Sequence, residues 1–147
     1  MENKRLFMER ALEKAKEAFA DGEIPVGAVV VRNGKIIGEG RNRREKAKSA
    51  LAHAEIEALH NAAQALGDWR LSGCELYVTL EPCIMCCGAI IGARIDRLVF
   101  GAYDETAGAV ISRANVTEDF GAKIQVIGGY MESECKKLLS SFFKNLR

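Results

Sequence analysis

His53, Glu55, Cys83 and Cys86 are the residues of this chain whose types and spacing can do chemistry. One imidazole and two thiolates are three ligands for a zinc ion, one short of a tetrahedral shell. Structural zinc sites close that shell with protein atoms, whereas catalytic sites keep a corner for water. Bound zinc brings the pKa of water down to roughly 7. Glu55 stands two residues beyond His53, where a carboxylate can take the proton of that water and return it later. The set therefore points to hydrolysis, with one Zn2+ per chain. Read as architecture alone, Glu55 is an acidic residue in a helix first turn, where the dipole favours it. The histidine and the paired cysteines beside it make the catalytic reading the stronger one.

Such residues need elements that bring them together. Leu6, Phe7, Leu12, Ala15, Ala18 and Phe19 recur at helical spacing, so residues 3–20 form an amphipathic helix that Asp21-Gly22 ends. Pro25 to Val31 reads as a strand, Asn33-Gly34 as a two-residue hairpin turn, and Lys35 to Arg41 as the return strand. A helix runs from Ala52 to Leu66 and stops at Gly67. Residues 75–80 form a strand, Pro82 suits the first turn of a helix that ends near Ala93, and 98–101 form another strand. Residues 103–120 read mostly as loop, 124–127 as a last strand, and 131–145 as a closing helix. The expected fold is one α/β domain over residues 1–147, a three-layer α/β/α sandwich around a mixed five-stranded sheet. His53 with Glu55, and Cys83 with Cys86, then open two helices. Cysteines three apart share a helix face, and a helix N-terminus favours the thiolates a metal requires.

Composition bounds the answer without deciding it. The 147 residues are 48% hydrophobic and 28% charged, with a net charge of +1. Nothing resembles a membrane span or a signal peptide. Five cysteines, two of them in the metal pattern, read as thiols of a reducing cytoplasm. Residues 41–48 carry five basic side chains against one acidic, just upstream of His53. That cluster is either a solvated loop or a contact for a phosphate backbone. His60 reads as a surface or partly buried histidine, Cys87 as a core thiol, and Trp69 as packing. Leu138, Leu139, Phe142 and Phe143 read first as the apolar face of the last helix.

Leu76-Tyr77-Val78-Thr79-Leu80-Glu81-Pro82-Cys83, with Ala52-His53-Ala54-Glu55 and Pro25-Val26-Gly27-Ala28-Val29, resembles the bacterial tRNA-specific adenosine deaminases of the cytidine deaminase superfamily. The H-x-E and P-C-x-x-C pattern is the signature of zinc nucleobase deaminases. The resemblance implies a cytidine-deaminase-like fold and hydrolytic conversion of adenosine to inosine at the tRNA wobble position. It implies a homodimer that holds the anticodon loop, with the target base flipped into a pocket. By position, His53, Cys83 and Cys86 would hold zinc and Glu55 would shuttle protons. Asn42 would hydrogen-bond the nucleoside, Val26 and Ala54 would line the pocket, and Asp104 and Phe143 would lie near the RNA. The chain departs from the family at Ser49-Ala50-Leu51, at Thr106 and Ile111, and around Ala122-Lys123, all where RNA would be gripped.

Two other readings use the same residues. A deaminase of a free base or nucleoside (guanine, cytosine or adenosine) fits the near-neutral charge and the atypical loops. A zinc-stabilised module without activity would need a fourth protein ligand, with Cys87 the nearest candidate.

Overall fold

The structure, a computed structural model, describes residues 3–146. Five strands form one sheet in the order β2-β1-β3-β4-β5. They are β1 (Gly27–Arg32), β2 (Lys35–Arg41), β3 (Cys74–Leu80), β4 (Arg97–Ala102) and β5 (Gln125–Ile127). β1 runs antiparallel to both β2 and β3, while β3, β4 and β5 are mutually parallel, so the sheet is mixed. The hairpin turn is Asn33-Gly34, both residues at positive φ, as a turn matched to strand twist requires.

Side chains alternate across the sheet. Ala28, Val30, Leu76, Val78, Leu98 and Phe100 face one core, packed against α2 (Ala54–Leu66) and α3 (Ile84–Gly92). Val29, Val31, Tyr77 and Val99 face the other, packed against α1 (Lys4–Ala20) and α5 (Glu132–Asn145). Each fully buried Val or Leu contributes about 1.5–3 kcal/mol, so two filled faces fix the register firmly. α2 lies close on β2 because Gly40 has no side chain. A Cβ there would fall 2.6 Å from the Ala58 nitrogen and collide with the Ala54 carbonyl.

The order and the three layers are those expected, with boundaries moved by a residue or two. One further element appears inside the expected loop, a single turn α4 (Val116–Asp119). Pro82 is not the first helical residue. Cys83 is the N-cap, with extended φ and ψ, so Pro82 lies one residue outside the helix. The proline ring has no N–H to give, and its carbonyl accepts the Ala109 N–H at 2.9 Å.

Topology explains where a site can form. β3 and β4 end at the same edge of the sheet, where β1 begins and β2 ends. The chain segments after β2, β3 and β4, before β1 and at the start of α2 therefore converge there.

Candidate active site

At that edge the structure holds a cavity of about 240 Å³. Its wall includes Ile24 and Val26 before β1, Asn42 and Arg44 after β2, and His53, Ala54 and Glu55 at the start of α2. Leu80 ends β3, Glu81 and Cys83 follow it, and Asp104 and Ala107 follow β4. The volume lies below the usual range for drug-sized pockets, about 300–1,000 Å³, and suits one planar ring system.

His53 caps α2 and Cys83 caps α3, each in extended conformation, so both side chains project from helix N-termini. The His53 Nδ1 lies 3.7 Å from the Cys83 sulfur and 3.5 Å from that of Cys86. Tetrahedral zinc with ordinary bond lengths separates a nitrogen and a sulfur ligand by about 3.6 Å. The donor set and its spacing therefore fit zinc. Among the described residues, neither Cys87 nor Glu55 belongs to that ligand group. Cys87 is fully buried, and its thiol points at the Pro82 carbonyl, 3.8 Å away. The fourth protein ligand that an inert zinc module needs is not supplied by Cys87.

The Cys86 thiol donates to Cys83, which holds Cys83 down to about 3 and drives Cys86 far above its ordinary value. The hydrogen bond to Cys83 also raises His53. Glu55 is buried in the first turn of α2. Burial pushes its carboxyl up to about 7, and the charge on Cys83 adds to the push. A carboxyl poised near neutrality both takes and gives protons well.

Of the residues assigned by resemblance to the substrate, Val26, Asn42, Ala54 and Asp104 line this cavity. Asn42 is 8% exposed and braced. Its amide donates to the Ile24 carbonyl at 3.2 Å, and its Oδ1 accepts the Arg44 N–H at 3.2 Å. One amide hydrogen and one lone pair remain for a ligand. Phe143 stands outside. Its ring is 49% exposed, so it is not core, and it meets Phe142 edge-on. Phe142 packs on Phe19 near the end of α1, which places Phe143 at the same edge of the molecule as the cavity but not in its wall. Trp69 is also no packing residue. It is 54% exposed, with the Arg70 guanidinium 4.6 Å from its ring centroid.

The basic cluster is largely neutralised. Arg41 pairs with Glu17 and Asp21, Arg43 with Glu57, and Lys46 with Asp21. Arg44 is the member that reaches the cavity wall. The loop is held by Glu23, 2% exposed, whose carboxylate accepts the N–H groups of Glu45 at 3.0 Å and Lys46 at 2.7 Å. Neither Glu23 nor Glu81 stands out in sequence as a functional residue. The available signal was an acid embedded among apolar neighbours, as in Gly22-Glu23-Ile24 and Leu80-Glu81-Pro82.

A fold with two sheet faces covered by helices, and a His-Cys-Cys site with an acid beside it, defines a class. The chain belongs to the family described as cytidine and deoxycytidylate deaminase zinc-binding region, matched over residues 1–102. Within that class, the tRNA-specific adenosine deaminase of Bacillus subtilis is 44% identical over the whole of this chain and 92% of its own. A solved structure from the tRNA:A34 deaminases of A-to-I editing superposes with a TM-score of 0.88 at 43% identity, covering 91% of this chain and 99% of that one. The guanine deaminase of Nitrosomonas europaea superposes at 0.82 with 29% identity, covering 92% and 82%.

Proposed function

We propose that this protein deaminates adenosine to inosine at the wobble position of tRNA. The observation that carries the reading is the His53, Cys83 and Cys86 donor group, with Glu55 hydrogen-bonded to Cys86, at a cavity sized for one base that His53, Glu55 and Cys83 line. The full-length similarity to tRNA-specific adenosine deaminases supplies the substrate.

His53, Cys83 and Cys86 would hold the ion, which supplies the Lewis acidity that makes water a competent nucleophile near neutral pH. Glu55 removes a proton from the attacking water. It delivers that proton to the ring nitrogen beside the carbon under attack, then carries the proton of the new hydroxyl to the exocyclic amine, which leaves as ammonia as the hydroxyl becomes a carbonyl. The water oxygen stays on the ring carbon, so the product is heavier by about one mass unit. Asn42 offers its free amide hydrogen and lone pair to the nucleoside, while Val26 and Ala54 pack on the base. Asp104 lines the same cavity. Phe143 is available to nucleotides that flank the target, and Arg44 to a phosphate at the rim.

A base inside a helix cannot enter so small a cavity, so the substrate is an extruded nucleotide of a loop. The protein acts as a homodimer in this reading. Leu51, Ile84 and Ile111 are exposed at 62%, 70% and 47% and lie beside the site. Leu51 is two residues before His53, Ile84 follows Cys83, and the Ile111 N–H bonds to Glu81. A second copy covering that patch would extend the rim of the cavity.

The guanine deaminase likeness and the net charge of +1 favour a second reading, hydrolysis of a free base. Parallel assays on an anticodon stem-loop RNA and on free guanine, cytidine and adenosine separate the two. Inosine in the RNA supports the first reading. Conversion of a free compound beside an inert stem-loop replaces it with the second.

A further inference from the structure

Glu81 leaves β3 with its carboxylate 2% exposed, between the segment that carries Cys83 and the loop 104–112. It accepts the N–H groups of Asp104 at 3.1 Å, Val110 at 3.2 Å, Ile111 at 2.8 Å and Ser112 at 2.9 Å, and the Ser112 hydroxyl as well. Three of these donors are consecutive in sequence. Successive N–H groups turned inward form a concavity that binds anions. Here the chain's own carboxylate fills it. An ionised carboxylate offers about four lone-pair sites, so five donors saturate it and leave none to take a proton from a substrate.

Further bonds join the same two segments. The Glu81 N–H donates to the Ala102 carbonyl at 2.8 Å, and the Ala109 N–H to that of Pro82 at 2.9 Å. At Gly108 a Cβ would run into the Glu81 carboxylate and the Asp104 carbonyl, so the loop is closed down on the acid. Asp104 in turn accepts the N–H groups of Thr106 and Ala107, both at 3.1 Å, and with Ala107 it lines the cavity.

We infer that Glu81 is a positioning residue. Its carboxylate holds loop 104–112 as a rigid, preformed wall of the pocket, joined to the segment of Cys83, so the loop recognises the base without opening and closing as a lid. The inference rests on the base-pocket reading above for its effect on substrate, and on the hydrogen bonds alone for its effect on the loop.

Hydrogen exchange and steady-state kinetics on the zinc-loaded protein test it together. In Glu81→Gln one acceptor oxygen becomes an N–H2 donor facing other donors. Exchange at residues 104 and 110–112 should quicken about 10- to 100-fold, the scale of losing bonds to a charged acceptor. KM for a stem-loop RNA should rise about tenfold or more, kcat should fall less, and zinc should stay at one per chain. Ser112→Ala, which removes one donor, should quicken exchange at 110–112 by less and guards against a misfolded Gln variant. Native-like protection in both variants overturns the inference. So does wild-type protein whose loop amides exchange freely until RNA binds, the signature of a lid. If the wild type converts only a free base, the RNA reading fails, while the exchange comparison still stands and KM is read on that base.

Discussion

Glu55 separates chemistry from architecture. Replacing it with Gln removes the group proposed to move protons, and turnover should fall about 10²- to 10⁴-fold. Zinc content and thermal midpoint should hold, because His53, Cys83 and Cys86 keep their places. Metal analysis and melting curves beside the kinetic assay check this, and an active variant would reject Glu55 as the base. The thiols make a second prediction. Burial pushes Cys87 and Cys135 up to about 12, whereas Cys86 holds Cys83 down to about 3. After chelation of the folded protein, iodoacetamide at neutral pH should label Cys83 ahead of Cys87 and Cys135, which mass mapping reads directly. At this scale the metal donors were legible because two short side-chain patterns, His53-Ala54-Glu55 and Cys83-Ile84-Met85-Cys86, mark them although 30 residues separate His53 from Cys83. Glu23 and Glu81 were not, because their partners are backbone N–H groups from 22 to 31 residues away, and no side-chain pattern records those.

The elements deliver those residues to one edge through close packing and a few ion pairs. Gly40 lets α2 lie on β2 with Ala54 and Glu55 at its head. Gly40→Ala should cost about 1–3 kcal/mol in urea unfolding, with activity falling further than stability explains, because the shift moves the first turn of α2. On the other side Arg10 grips Glu39 at 2.6 and 2.9 Å. That bond holds the Glu39 carboxyl below its ordinary value of 4.5. A depressed folded pKa adds stability in full above the unfolded value and loses it as pH falls through the folded one. As pH falls below about 4.5 the wild type should therefore lose more thermal stability than Glu39→Gln, so the gap between the two is widest near neutrality and narrows in acid. Turn residues, helical periodicity and short apolar runs revealed every strand and long helix, since the helices bury one repeated face and β1, β3 and β4 are buried on both. The single turn of α4 escaped notice because four residues cannot display a helical period. Much of the basic cluster at 41–48 is neutralised because Glu17, Asp21 and Glu57 arrive from other elements to pair with Arg41, Arg43 and Lys46, while Arg44, 4.0 Å from Glu45, is the basic residue at the cavity wall.

For the whole molecule, a net charge of +1 gives no general attraction to RNA, so the proposed binding would rest on a few local contacts. Affinity for a stem-loop should therefore fall only gently with salt. Arg44→Ala should lower the slope of log K against log salt by about one. The proposed dimer predicts that light scattering finds two chains, and that Ile84→Glu returns one chain with the zinc retained. The measurement closest to the core of the account is product identity. After incubation with an anticodon stem-loop RNA, nucleoside digestion and mass spectrometry should find inosine in place of the wobble adenosine, formed by wild type and not by Glu55→Gln. Unchanged adenosine in the presence of bound zinc, with free guanine turned to xanthine, would contradict it.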